Sequence, residues 1–185
     1  MILLIDNYDS FSYNLVQMAG SINPDIRVIR NDELTVEEIE KLRPDKIILS
    51  PGPGYPKDAG VCEEVVQKLQ GKYPIMGVCL AICEAYGGEI IHAKELMHGK
   101  KSNVKIDTAS PIFQGMPEEI DAARYHSLAA DTEKIPKTLK VIAIADDGEV
   151  MAVQHKEYPV YGLQFHPESI LTPKGRKILE NFLGL

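Results

Sequence analysis

Short apolar runs alternate with longer amphipathic stretches through the first half of the chain. Met1–Ile5 (MILLI), Lys46–Ser50 (KIILS) and Pro74–Cys79 (PIMGVC) read as strands buried on both faces, and Ile26–Arg30 as a further strand between the first two. Ser10–Ile22 reads as a helix, with Leu15, Met18 and Ala19 three and four apart; Thr35–Arg43 and Val61–Gln70 read as two more. Thr35 with Glu38 three residues on forms a capping-box pattern, and Pro44 stops that helix. Strand and helix repeated in this way imply right-handed crossovers and a parallel sheet covered on both faces. In such sheets ligands collect outside the carboxyl ends of the strands. The second half differs: Glu89–Ala93, Ser102–Asp107, Val141–Ala145, Glu149–His155 and Val160–Phe165 read as strands joined by turns, with Asp147-Gly148 marking one hairpin. Pro173–Phe182 reads as a closing helix. With no internal repeat, low-complexity tract or flexible linker, residues 1–185 are expected to form one domain.

Composition adds exclusions. Apolar residues make up 44% and charged residues 25% of 185 positions, the balance of an ordinary globular domain rather than a disordered or membrane chain. The first apolar run ends at Asp6, too early for a signal-peptide core or a membrane span. Twenty Lys and Arg against 27 Asp and Glu give a net charge of −7, which argues against a nucleic-acid partner. Three cysteines without a secretory signal point to the cytoplasm, where a thiol is free to react.

Cys79 is the leading nucleophile candidate. It ends a buried strand in Gly77-Val78-Cys79-Leu80-Ala81 and precedes a helical stretch, so a strand-to-helix turn would present its sulfur at the sheet's carboxyl edge. A free cysteine is also often a buried structural residue, and position alone weighs the two readings equally. His166-Pro167-Glu168 follows the last apolar strand, and in extended chain residues two apart share a side, so imidazole and carboxylate could act together as an oriented base. Taken alone, this is an ordinary surface turn; beside a carboxyl-edge cysteine it becomes a candidate catalytic pair. Ser50-Pro51-Gly52-Pro53-Gly54 leaves the third strand, and glycine there lets backbone N–H groups approach a ligand. No nucleotide-phosphate loop is present. Cys79 and Cys83 lack the histidine partners a zinc site needs. Cys62, His92 and His98 are expected to be inert or solvated, and nothing local singles out Tyr125-His126-Ser127-Leu128.

Six segments in this order resemble the class I, triad-type glutamine amidotransferases: Ile5–Phe11, Ser50–Gly54, Gly77–Leu80, Met97–Lys100, Arg124–Leu128 and Gln164–Thr172. The match is nearest to the glutaminase subunit of anthranilate synthase and aminodeoxychorismate synthase. The resemblance implies a three-layer, flavodoxin-like α/β fold, an open and mostly parallel sheet with helices on both faces and an added antiparallel β region in the second half. It implies that Cys79 attacks the side-chain amide of L-glutamine to give a glutamyl thioester, with His166 as base and acid oriented by Glu168. Gly52 and Leu80 would supply oxyanion N–H groups, and Gly52, Pro53, Gly54, Ser127 and Leu128 would hold the glutamine. No metal or organic cofactor is implied. Ammonia would pass to a chorismate-binding synthase subunit on another chain, since 185 residues leave no room for a second domain of that kind.

One departure falls beside the nucleophile. Members of this family continue Cys-Leu with Gly-His-Gln, whereas here Leu80 runs directly into Ala81-Ile82. A chain that truly lacks the three residues should lose its oxyanion geometry and serve as a regulatory or binding subunit without catalysis. Alternatively, the three residues belong to the protein and its site is intact, the reading favoured by the completeness of the other motifs. A third possibility is an independent cysteine hydrolase of γ-glutamyl compounds, which the chorismate-branch motifs argue against.

Overall fold

The structure, a computed structural model, describes residues 1–54, 58–79 and 81–185, with backbone alone at 81 and 94–98. Among the described residues, nine strands form one sheet: β1 (Ile2–Asp6), β2 (Ile26–Arg30), β3 (Lys46–Leu49), β4 (Ile75–Val78), β5 (Ile90–Ile106), β6 (Glu119–Ala130), β7 (Leu139–Ala145), β8 (Val150–His155) and β9 (Val160–Leu163). Their spatial order is β2-β1-β3-β4-β9-β8-β7-β5-β6. The first five in that order are mutually parallel and the remaining pairings are antiparallel. The parallel part therefore has the doubly wound order in which the chain reverses direction beside β1, and the carboxyl ends of β1 and β3 border a crevice.

Among the described residues, five α-helices cover the sheet: α1 (Ser12–Ile22), α2 (Val36–Lys41), α3 (Cys62–Leu69), α4 (Ala81–Ala85) and α5 (Gly175–Leu183). The two-residue period of the strands decides which face each covers. Ile2 and Leu4 of β1 pack with Leu15 of α1 and with Ile178, Leu179 and Phe182 of α5. Leu3 and Ile5 point the other way, into a second core with Ile39 of α2 and Val65 and Val66 of α3. Because every residue of β1 is buried on one face or the other, the run MILLI is apolar throughout. The capping box opening α2 is formed: the Thr35 hydroxyl accepts from Glu38 N–H at 3.3 Å and Glu38 Oε2 accepts from Thr35 N–H at 2.9 Å.

The antiparallel half departs from the sequence expectation in two places. Glu89–Ala93 and Ser102–Asp107 are the ends of one long strand, β5, so the charged stretch around His98–Lys100 is strand rather than loop, with register shifts against β6 on either side of His98. The second departure is β6 itself. Its inward positions include Ile120, Ala122, Arg124 and His126, and two polar residues on the buried face hide the alternation that marks a strand. Among the described residues, no helix is long and apolar enough to cross a membrane.

Candidate active site

The carboxyl ends of β1, β3 and β4, with part of β6, enclose a cleft of about 510 Å³, within the size range of small-molecule sites. Gly52, Pro53, Gly54, Cys79, Ser127 and Leu128 all line it, together with Asn7, Tyr8, Asn31, Asp32 and Asp58. Leu80 lies outside the described residues.

Cys79 follows β4 directly. Its N–H donates to Leu163 O of β9 at 2.6 Å, and its φ is +64°. Left-handed backbone costs a non-glycine residue roughly 1–2 kcal/mol. That conformation turns the chain sharply out of the strand and leaves the sulfur, partly exposed, at the floor of the cleft. The amide of Gln164, one residue past β9, donates to Cys79 Sγ at 3.5 Å from 85 positions along the chain. In the sequence Gln164 stands out only as part of a motif; the β4–β9 pairing brings it to the sulfur.

β9 also delivers the imidazole. The His166 N–H donates to Ala123 O of β6 at 3.1 Å, and the Thr172 hydroxyl donates to His166 O at 2.7 Å while accepting from Ala123 N–H at 2.9 Å. His166 Nδ1 lies 2.6 Å from Glu168 Oε1, and both side chains are buried. A carboxylate accepts only, so Nδ1 carries the proton and Nε2 is the ring atom left for other chemistry. The rings of Phe11 and Tyr125 meet the imidazole edge to face, with centroids 5.7 and 5.1 Å away. Burial opposes a charge on His166, but hydrogen bonding with Cys79 and Glu168 and their negative charge outweigh it and raise its pKa to about 9. The sign of the linked stability follows. Ionisation of His166 stabilises the fold in full below its ordinary 6.5, and this contribution is lost as pH rises through about 9.

A second set of contacts fixes the loop after β3. Asn7 N–H donates to Ser50 Oγ at 2.9 Å, Asn7 Nδ2 donates to Ser50 O at 2.7 Å, and the Ser12 hydroxyl lies 2.7 Å from Asp6 Oδ1 and 2.9 Å from Ser50 Oγ. The Cys62 thiol donates to Asn7 Oδ1 at 3.1 Å, and burial pushes its pKa up to about 12, so it stays a thiol. Gly52 sits so close to Asn7 that a Cβ would lie 2.6 Å from Asn7 Cβ and 2.8 Å from Asn7 O. These polar residues are individually ordinary in the sequence, and only the neighbouring of β1 and β3 reveals that they form one cluster.

Comparison with known proteins gives the family and the fold. A family model described as glutamine amidotransferase class-I matches residues 3–184. The bifunctional protein TrpGD of Thermotoga maritima is 49% identical over 189 residues, covering 100% of this chain and 32% of that protein, so the chain spans about a third of its length. Aminodeoxychorismate/anthranilate synthase component 2 of Bacillus subtilis is 46% identical over 186 residues, covering 99% of this chain and 95% of that one. Anthranilate synthase component 2 of Pseudomonas aeruginosa is 48% identical over 191 residues, with coverages of 99% and 94%. A crystal structure from Thermoplasma acidophilum, assigned as a GMP synthase subunit, superposes with a TM-score of 0.87 at 26% identity, covering 99% of this chain and 92% of that one.

Proposed function

This chain belongs to the class-I glutamine amidotransferase family, and from that premise we propose that its residues 1–185 form one domain that hydrolyses L-glutamine at Cys79 and supplies ammonia to a chorismate-using synthase subunit. The observation that carries the reading is the convergence of a sulfur on a left-handed elbow with an imidazole whose Nδ1 is held 2.6 Å from a buried carboxylate. In the reaction, Cys79 Sγ bonds to the side-chain carbonyl carbon of glutamine. His166 Nε2 carries the proton to the departing nitrogen, which leaves as ammonia. Water, deprotonated by His166 Nε2, then attacks the thioester carbon; the C–S bond breaks, glutamate leaves, and the proton returns from Nε2 to the Cys79 sulfur. Glu168 keeps the ring in the tautomer this needs. The Gly52 N–H, held by the Asn7–Ser50 contacts, and the N–H of Leu80 stabilise the oxyanion, while Gly52–Gly54, Ser127 and Leu128 hold the substrate. The component 2 names of the relatives support a hetero-oligomer with a synthase chain.

Acid-quenched mixtures of the protein, its synthase partner and glutamine should carry a glutamyl group on the Cys79 peptide by mass spectrometry. Glutamine hydrolysis at full rate with no label there overturns the assignment. Glu168→Gln removes the charge that helps to hold His166 protonated, so the alkaline limb of the glutaminase pH profile should move down from about 9 towards 6.5, with kcat lowered on the order of 10²-fold or more. Gly52→Ala should lower kcat by roughly 10²–10³, the cost of displacing one oxyanion donor, because the new methyl meets Asn7. Wild-type kcat in that variant would remove Gly52 from the oxyanion site.

The absence of Gly-His-Gln after Leu80 favours a second reading, a binding subunit without catalysis. The full 185-residue sequence runs from Leu80 to Ala81 without those three residues, so the expectation that they belong to the protein is corrected. A glutaminase assay of the purified complex separates the two readings: turnover of glutamine sustains the first, and its absence in a complex that still uses ammonia sustains the second.

A further inference from the structure

Among the described residues Arg124 is the largest fully buried side chain, and four groups from three segments enclose its guanidinium. Nη1 donates to Asp147 Oδ2 at 2.6 Å and to Ser102 Oγ at 3.2 Å, Nη2 is paired with Glu149, and Nε donates to His126 Nε2 at 3.0 Å. The last contact settles the state of the histidine. A guanidinium offers donors only, so His126 Nε2 must be an unprotonated acceptor and the ring must be neutral. Its one proton is therefore on Nδ1, which donates to the Leu128 carbonyl at 2.9 Å. Burial first, and then the Arg124 charge, lower the His126 pKa to about 4, so the neutral ring persists through the physiological range.

We propose that His126, locked in one tautomer by Arg124, is a positioning residue for the Ser127–Leu128 edge of the cleft and sets the affinity for glutamine rather than the rate of its chemistry. This rests on the reading above in which Ser127 and Leu128 hold the substrate. The Leu128 carbonyl is the last acceptor of the chain Arg124 → His126 → Leu128. Holding it fixes the adjoining peptide planes at the cleft wall, and it keeps occupied an oxygen whose lone pairs would otherwise repel a substrate carboxylate. Ser102 of β5, and Asp147 and Glu149 from the turn between β7 and β8, anchor the chain at its other end, so the edge is braced from outside the cleft.

Two substitutions separate this role from simple filling of space. His126→Asn places an N–H donor where Nδ1 stands. His126→Gln places its amide where Nε2 stands and leaves the Leu128 carbonyl without a donor. In the complex with the synthase subunit, His126→Gln should raise KM for glutamine about tenfold, the worth of one lost hydrogen bond, with kcat within about threefold of wild type. His126→Asn should recover a KM within about threefold of wild type, and the rate of Cys79 alkylation by iodoacetamide should be the same in all three proteins. If the Gln variant does not fold, His126→Leu serves in its place and should show the same rise in KM. Equal impairment of the Asn and Gln variants, an unchanged KM in both, or a loss confined to kcat overturns the proposal. A crystal structure of Cys79→Ala with glutamine separates its failure from that of the functional reading. Glutamine bound away from Ser127 and Leu128 overturns that reading, whereas glutamine seated on them together with an unchanged KM in His126→Gln overturns the positioning role alone.

Discussion

Cys79→Ala is expected to abolish glutamine-dependent synthesis by the complex while leaving ammonia-dependent synthesis at its full rate. The first effect follows because no other described side chain is placed to replace the sulfur. Cys62 is buried with its thiol bound to Asn7, and burial, the larger effect, together with the Glu84 charge pushes the pKa of the buried Cys83 up to about 11, so neither supplies a thiolate at neutral pH. The second follows because added ammonia bypasses the glutaminase and meets the acceptor on the partner. Removal of a nucleophile leaves the binding groups in place, so the variant should still bind glutamine, and its glutaminase rate should fall by roughly 10⁴ or more. Assays with glutamine and with ammonium salts, run on one preparation, read both effects. Loss of both activities would contradict the role of Cys79, as would retention of both.

Gly175→Ala should also damage the glutaminase, although less than loss of the sulfur and although residue 175 lies outside the cleft lining. The glycine opens α5 directly beneath the His166–Glu168 turn, and a Cβ there would lie 1.7 Å from Pro167 O and 2.6 Å from Pro167 C. Both obstacles are backbone, so no side chain can swing aside. One response lifts α5, which loosens Ile178, Leu179 and Phe182 from the core and costs about 1–3 kcal/mol or more. The other moves the turn, displacing His166 and Glu168; a misplacement of about 1 Å at reacting groups is worth on the order of 10² in rate. The variant should therefore show a lowered Tm, a glutaminase rate down about 100-fold, or both. Ammonia-dependent synthesis by the folded fraction should be retained. Wild-type Tm together with wild-type glutaminase would mean that the turn and helix are not packed as described.

The parallel half of the fold was legible because β1, β3 and β4 are buried on both faces, and burial of that kind writes an unbroken apolar run. Thr35 and Glu38 were legible because a capping box is a local contract between two residues. β6 was not, since its inward positions hold Arg124 and His126, and the partners that let Arg124 be buried, Ser102, Asp147 and Glu149, lie on β5 and beside the turn between β7 and β8, invisible to any local pattern. The candidate site divides along the same line. Cys79, His166 and Glu168 stood out because a strand-ending cysteine and a His-Pro-Glu turn are short motifs. Asn7, Ser12 and Ser50 each looked like a routine polar residue beside a strand, and their significance lies in contacts up to 43 positions apart.

The placement of β9 has a consequence for how the protein is made. β9 is the ninth strand in chain order, yet it lies in the middle of the sheet, between β4 and β8. Until it inserts, the edge of β4 is unpaired and the sulfur-bearing elbow has neither its Leu163 partner nor an imidazole. A chain emerging from the ribosome therefore holds the Cys79 thiol without the imidazole until β9 has been made, and pairings of this sequence separation are slow to close. Under the proposed function, the nucleophile therefore meets its base only once β9 has taken its place between β4 and β8.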